Sequence, residues 1–222
     1  MVNRALDVVL LGPPGAGKGT QAKRMAAAFE LLHLSPGDLL RDEVAKGTGL
    51  GMQAKEVMNR GELVPDALVG KMLASRLHSQ PAALGCAFDG YPRTTAQAQL
   101  LDGLLAELNR RVDVVLYLRV EDDEILRRLT GRRSCPACGA VYHLTTQPPK
   151  AQGACDVCRG SLVQREDDRD EVVRERLRVY REHTAPLLAL YRDRGNLREV
   201  DGSCSADAVF ECLREVMGRM RR

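Results

Sequence analysis

Residues Gly12-Pro-Pro-Gly-Ala-Gly-Lys-Gly-Thr20 follow the apolar run Val8-Val-Leu-Leu11 and lead into a stretch with helical spacing. A glycine-rich turn between a strand and a helix presents consecutive backbone amides to an anion. Glycines at 12, 15, 17 and 19 keep Cβ atoms out of its way. Lys18 adds a flexible point charge for the outer phosphates, so Gly15, Ala16, Gly17, Lys18, Gly19 and Thr20 read as a phosphate cradle in a nucleotide-binding strand, loop and helix. The common pattern has Ser or Thr directly after the lysine; here Gly19 intervenes before Thr20.

Asp89 closes the apolar run Cys86-Ala-Phe88 and falls at the carboxyl end of a candidate strand, a Mg²⁺ position facing the loop. With glycine in the usual hydroxyl position, Asp89 is expected to hold the ion partly through water, which Mg²⁺ gives up reluctantly. Arginines form a second constellation: Arg41, Arg93, Arg132 and Arg133, Arg165 and Arg176. Most fall at expected strand ends, helix starts or insertion edges, where a parallel sheet gathers its ligands. A guanidinium grips two phosphate oxygens at once.

Four of the seven cysteines explain themselves by spacing, Cys135-x-x-Cys138 and Cys155-x-x-Cys158, each pair followed closely by a glycine, Gly139 or Gly160. Four thiolates so arranged close a tetrahedral site with no open position for water, which predicts a structural Zn²⁺; four thiolates also accept iron. Cys86, Cys204 and Cys212 are read as small apolar residues of strands or helices.

The elements that must position these groups alternate. Strand-like runs fall at Leu6 to Leu11, Leu31 to Leu34, Cys86 to Phe88, Val112 to Leu118 and Leu197 to Val200. Helices fill the gaps, with starts signalled by Thr94, by Glu121-Asp-Asp-Glu124 and by Ser203, and a stop near Gly195-Asn196. The pattern predicts an α/β fold, a mainly parallel sheet wrapped by helices on both faces. Residues 35–64 and 132–168 break the alternation and read as insertions on the ligand-binding edge.

The bulk composition narrows the partners. Net charge is only +3 over 222 residues, with 33 basic against 30 acidic side chains, so nothing demands a nucleic acid or a membrane surface. Tryptophan is absent and aromatics make up 4%, too few for stacking single-stranded bases. No apolar stretch approaches the roughly 18 residues of a spanning helix, and Asp7 interrupts any signal-peptide core; the expected location is cytoplasmic.

The ordered set GPPGAGKGT, SPGDLLR at 35–41, GELV at 61–64, DGYPRTTAQ at 89–97, LTGRR at 129–133, REDD at 165–168 and VRERL at 173–177 resembles adenylate kinase along nearly the whole chain. The lysine-glycine-threonine ending of the loop is itself similar to nucleoside monophosphate kinases. The cysteine-bearing insertion resembles the zinc-containing long lid of bacterial forms. This resemblance implies a P-loop three-layer fold with a five-stranded parallel sheet. It implies a core at 1–34, 65–131 and 169–222, a helical monophosphate-binding insertion at 35–64 and a zinc-ribbon-like lid at 132–168.

Carried over by residue, Gly15 to Thr20 resemble the ATP phosphate cradle, and Arg132, Arg165 and Arg176 the group around the transferred phosphoryl. Arg41 and Arg93 resemble the clamp on the AMP phosphate. Arg128 matches the residue stacked on the ATP adenine, Val141-Tyr142 the lid contacts to ATP, and Cys204 a position whose backbone meets that base. Glu62, Leu63, Val64, Gly90, Tyr91, Pro92 and Gln97 match the AMP site, with Gln97 reading the base edge, while Asp167 and Asp168 resemble acids that hinge the lid and orient its arginines. Pro36 stands where the family usually has threonine against the AMP base, and proline offers neither hydroxyl nor N–H. Glu62, where a lysine is frequent, is a milder departure.

The implied reaction is reversible phosphoryl transfer from MgATP to AMP giving two ADP, by a monomer whose partners are ATP, AMP and ADP. Uridylate-cytidylate kinases, with a small apolar residue at the Pro36 position, are the nearest competitor; Gln97 argues against them, because they typically use asparagine there. A nucleotide-switched zinc-ribbon binding module is the alternative of a different class. Against it, the ribbon lies between the nucleotide motifs, and its interior, residues 141–152, has Lys150 as its one basic residue besides His143.

Overall fold

The computed structural model describes residues 6–79 and 84–220, so the parts of the expected core at 1–5, 80–83 and 221–222 lie outside the described residues. Strand β1 (Asp7–Leu11) is apolar along nearly its whole length because it is buried on both faces, the signature of a central parallel strand. It pairs in parallel with β3 (Cys86–Asp89) on one side and β4 (Val114–Arg119) on the other; β2 (Leu32–Leu34) and β7 (Leu197–Asp201) complete the sheet in the order β2-β3-β1-β4-β7. Successive strands therefore run first to one side of β1 and then to the other, and the crevice at that switch lies beyond the strands' carboxyl ends.

Alternation along the strands divides the core. Val8 and Leu10 of β1 and Val114, Leu116 and Leu118 of β4 face one layer, built from α1 (Lys18–Phe29), α6 (Asp122–Thr130), α7 (Asp170–Val179) and α9 (Ala206–Met220). Val9, Leu11 and Val115 face the other, built mainly from α4 (Asp66–His78), α5 (Thr95–Glu107) and α8 (Leu187–Asp193). Residues 35–64 form α2 (Pro36–Ala45) and α3 (Gly49–Asn59), capped by the Ser35 and Thr48 hydroxyls, and bury Leu40 and Ala54 against this second layer. Residues 132–168 form a hairpin, β5 (Arg132–Ser134) with β6 (Val141–His143), and two cysteine knuckles around a small cluster of Cys135, Tyr142 and Cys155.

Thr94 caps α5 and three acids occupy the first turn of α6, as the sequence predicts. The α9 start is a correction. Ser203 donates its hydroxyl to Asp201 Oδ1 at 2.7 Å and closes a turn after β7, whereas the Ser205 hydroxyl accepts from the Ala208 amide. Cys86 is buried as expected, but Cys204 and Cys212 are exposed, so neither serves as an apolar core residue.

At the amino end of the central strand β1, Asp7 is fully buried and ion-paired to Arg110, with the Cys86 amide donating to its Oδ1 at 3.1 Å. Burial pushes this carboxyl above its ordinary value despite the guanidinium beside it. Removing one member of a buried pair leaves the other uncompensated. Arg110→Met is expected to reduce the unfolding free energy by about 3 kcal/mol in urea denaturation, with Asp7→Asn/Arg110→Met recovering most of the loss. Equal losses in the single and double variants would show that the carboxylate does not depend on Arg110.

Candidate functional site

The turn after β1 begins at Gly12 and reaches α1 through Gly15 (φ +79°) and Gly17 (φ +93°), a left-handed backbone that favours glycine. A Cβ on Gly15 would also stand 2.8 Å from Leu129 Cγ. The amides of Gly15, Gly17, Lys18, Gly19 and Thr20 have no hydrogen-bond partner among the described residues, leaving a nest of donors at a helix N-terminus. Lys18 folds back across the loop, donating from Nζ to Gly12 O at 2.7 Å and Pro13 O at 2.8 Å.

This loop borders a cavity of about 930 Å³, near the upper end of the ~300–1,000 Å³ of small-molecule sites. All of the expected nucleotide-site residues line it: the loop from Gly15 to Thr20, Arg128, Arg132, Val141, Tyr142 and Cys204; Pro36, Arg41, Glu62, Leu63, Val64, Gly90 to Arg93 and Gln97; Asp89, Arg165 and Arg176. Arg133, grouped with these arginines by sequence, does not line the cavity. Its Nη1 donates to the carbonyls of Thr130 and Arg132.

Lys18, Arg41, Arg93, Arg132, Arg165 and Arg176 converge here upon Asp38, Asp89, Asp167 and Asp168. Asp168, 0% exposed, is the hub: Arg132 forks onto it at 2.7 and 2.5 Å, and Arg176 Nη1 reaches its Oδ1 at 3.2 Å. Arg176 also donates to Asp167 O at 2.7 Å, Arg165 to Ser134 Oγ at 3.0 Å, and Arg41 to Asp38 Oδ1 at 2.5 Å. Burial pulls the Lys18 ammonium down to about 7; Asp89 opposes the shift, and Arg93, Arg176 and Arg132 deepen it. Burial followed by Arg176 brings Arg93 to about 10 although its surface remains open to the cavity, and burial followed by Arg41 and Arg132 does the same to Arg165. Burial alone would raise Asp167, but Arg176, Arg132, Arg41 and Arg165 hold it below the usual carboxylate range.

On the α2 side, Gln97 is buried with both ends engaged, Oε1 accepting from the Arg93 amide at 2.8 Å and Nε2 donating to Asp66 Oδ1 at 2.6 Å. The Arg93 carbonyl accepts from the Thr184 hydroxyl at 2.9 Å, and Thr184 ends a π-helical turn, Tyr180–Thr184, between α7 and α8. Glu62 pairs outward with Arg60.

On the α9 side, the turn from Gly202 to Ala206 is pinned from two directions. Arg128 donates to the carbonyls of Gly202 and Ser203, while Gln21 and Arg24 of α1 donate to that of Ala206. The Ser205 carbonyl accepts from the Val209 amide, which leaves Cys204 O as the one carbonyl of this turn without a hydrogen bond among the described residues. The sequence reading reached neither Gln21 nor Arg24, nor the carboxylate partner of Arg41, Asp38. Gln21 adjoins the phosphate loop and Asp38 lies within SPGDLLR, but only tertiary packing reveals what they touch.

The Sγ atoms of Cys135, Cys138, Cys155 and Cys158 all lie within 4.8 Å of one another, with 135 to 158 at 3.4 Å and 138 to 155 at 3.5 Å. Four sulfurs about 2.3 Å from one ion stand on the order of 3.8 Å apart, so the donor set fits tetrahedral Zn²⁺. The Tyr142 hydroxyl lies 3.5 Å from Cys155 Sγ and draws that thiol down to about 6, while hydrogen bonds to neighbouring thiols help raise Cys138 and Cys158, so the four thiols share their protons unevenly.

A donor nest at the carboxyl edge of a parallel sheet, facing more cations than carboxylates across one cavity, defines a P-loop phosphotransferase. Comparison with known proteins gives the family. A sequence model described as adenylate kinase matches residues 10–196. Adenylate kinase of Archaeoglobus fulgidus is 47% identical over 216 residues, 97% of this chain and 100% of that protein. Those of a Geobacillus species and of Thermosipho africanus are 45% and 44% identical, covering 97% and 98% of this chain and all of theirs. The chain belongs to the adenylate kinase family, whose reaction transfers a phosphoryl group from ATP to AMP and yields two ADP.

Because Lys18 sits near 7 instead of 10.5, bound phosphates should raise its affinity for a proton. At pH 8, where ATP is already fully ionised, the chain is expected to take up a larger fraction of a proton on binding ATP than Lys18→Met does. Calorimetric titration in buffers of different ionisation enthalpy reads the difference; equal uptake would mean that the free enzyme already holds Lys18 charged.

Proposed function

We propose that the phosphate loop and Lys18 hold the ATP phosphates, that Arg132, Arg165 and Arg176 surround the transferred phosphoryl, and that Arg41 and Arg93 clamp the phosphate of AMP. The observation that carries this assignment is the convergence of these cations from separate segments on one cavity, with Arg132 and Arg176 sharing Asp168. Asp89, at the end of β3, holds the ATP-bound Mg²⁺ through water; when bound, that ion neutralises charge on the phosphates.

No general base is required. A phosphate monoester has its second pKa near 6, so the attacking oxygen of AMP is already ionised at neutral pH. The obstacle is the approach of two anions, which the arginines lower by holding donors and acceptor in line and by stabilising charge in a site closed to water. Residues 35–64 serve as the monophosphate-binding domain and 132–168 as the lid over ATP, against a core formed by the remainder. In the ATP half, Arg128 stacks on adenine, Val141 and Tyr142 close over it, and the unpaired Cys204 carbonyl accepts from its amino group. In the AMP half, Pro36, Leu63 and Val64 provide an apolar wall and Gln97 reads the base edge, which requires it to exchange an internal partner for the ligand. Glu62, Gly90, Tyr91 and Pro92 line the same half.

Zn²⁺ held by Cys135, Cys138, Cys155 and Cys158 is structural and folds a segment with a small apolar cluster of its own. The protein works as a cytoplasmic monomer without nucleic-acid or membrane partners. No helix among the described residues is long and apolar enough to cross a membrane.

ADP formation measured with AMP, UMP and CMP tests the acceptor: AMP should be strongly preferred, and a preference for UMP or CMP would overturn the reading of Gln97. Lys18→Met should cut kcat by about 10²-fold or more with the fold retained, and near-normal turnover would remove its phosphoryl role. Cys138→Ser should lose bound metal, measured by elemental analysis, and melt at lower temperature while retaining turnover in the cold. Turnover abolished where the fold is intact would contradict a purely structural metal.

A further inference from the structure

His33 has no part in the assignments above, yet its ring stands against Asp89, which lines the cavity together with the phosphate loop. It is the middle residue of β2; Asp89 ends the neighbouring β3, and Asp38 lies in the first turn of α2. One ligand atom from each of the three lies within 4.8 Å of the other two, and His33 Nε2 is 3.3 Å from Asp89 Oδ2. Two atoms bound to one cation at about 2.1–2.3 Å, roughly at right angles, are about 3 Å apart, so this separation suits a shared ion.

The carboxylates of the trio keep oxygens that the neighbouring cations do not take up. Lys18, whose ammonium feels Asp89, directs its Nζ to Gly12 O and Pro13 O, and among the described residues Asp89 pairs with no lysine or arginine. Asp38 gives Oδ1 to Arg41, while its Oδ2 has no partner among the described residues. Gly19 presents no side chain to Asp89; a Cβ there would stand 3.1 Å from Oδ2. Two carboxylates with one imidazole form a mixed oxygen and nitrogen donor set. Mg²⁺ prefers oxygen and retains its waters, whereas first-row transition ions accept imidazole, with affinity rising from Mn²⁺ through Co²⁺.

We propose that His33, Asp38 and Asp89 bind a divalent transition-metal ion directly, His33 through Nε2, so that Mn²⁺ or Co²⁺ can serve as the nucleotide's metal with a nitrogen ligand that Mg²⁺ does not use. The inference rests on the placement of Asp89 beside the ATP phosphates.

Mn²⁺ is the probe, because four thiolates already holding zinc give it no competing soft site. Zinc-loaded full-length protein is mixed with Mn²⁺, alone and with tripolyphosphate, which supplies phosphates without the nitrogens of adenine. Pulsed electron paramagnetic resonance should show ¹⁴N coupling from one imidazole. His33→Gln should abolish the coupling and weaken Mn²⁺ binding about tenfold, whereas His78→Gln, at the end of α4, should keep both. His33→Asp, which keeps an oxygen donor, should bind Mn²⁺ without the nitrogen signal and covers the case of a poorly folded glutamine variant. Absence of coupling in the wild type, or its survival in the His33 variants, would overturn the proposal and leave only a hydrogen bond between His33 and Asp89. ADP formation with Mg²⁺ in the same preparation reports on the phosphoryl-transfer assignment separately.

Discussion

Mutual repulsion among cations in a partly dehydrated cavity is the constraint around which this molecule is organised. Lys18, Arg93, Arg165 and Arg176 all have their charged forms disfavoured, first by burial and then by neighbouring arginines, Arg41 and Arg132 among them. Asp167 and Asp168 offset part of that cost, and Asp168 does so while fixing two guanidinium groups that come from distant parts of the chain. The remaining imbalance is available to nucleotide phosphates. A site built this way binds anions by relieving its own repulsion, and it suits a reaction whose transition state spreads negative charge over the oxygens of a transferred phosphoryl group.

Such a site needs a rigid base, and the sheet provides it. β1 delivers the phosphate loop and β3 delivers Asp89 and the turn bearing Arg93, in a parallel register that pairs Leu10 with Asp89. The remaining cations arrive on elements outside the sheet: Arg41 on α2, Arg132 at the start of β5, Arg165 after the knuckles, Arg176 on α7. Arg132 and Arg176 share the Asp168 carboxylate, so the position of the cysteine-bearing segment and the orientation of the α7 arginine are mechanically linked. A metal on the four thiolates would fit this scheme, since a segment whose small apolar cluster is Cys135, Tyr142 and Cys155 needs another source of rigidity to present its arginines at fixed positions.

Features encoded by local spacing were legible in the sequence. The phosphate loop is contiguous, the cysteine pairs have metal-ligand spacing, and the central strands β1, β3 and β4 are largely apolar runs. The arginines were legible as a set because their motifs recur in family order, although Arg133 shows the limit: it adjoins Arg132 in a strand, where neighbours point to opposite faces. Ser203 and Ser205 are two residues apart with equal capping chemistry, and Asp201 decides between them by engaging the first. Gln21, Arg24 and Asp38 act through contacts with groups brought in by the fold, and the π-helical turn that carries Thr184 has no simple periodic signature.

With the ATP adenine placed at the Gly202–Ala206 turn, as proposed above, its discrimination would follow from the same accounting of partners. A turn with several free carbonyls would accept donors in several registers and so accommodate several bases. Here Arg128 engages Gly202 and Ser203 from α6, Gln21 and Arg24 engage Ala206 from α1, and Ser205 begins the hydrogen-bonding of α9. The Arg24 guanidinium further lies 4.2 Å from the Phe210 ring and pairs with Asp207 at 2.9 Å, tying α1 to the first turns of α9. One acceptor therefore remains, the Cys204 carbonyl, at a height set by α1, the helix that also opens the phosphate loop. Because the phosphate loop and the turn proposed for the base are fixed to one helix, the distance between them is set by α1 itself, and in that assignment a nucleotide of the wrong length or with an acceptor at that edge would leave Cys204 O unsatisfied.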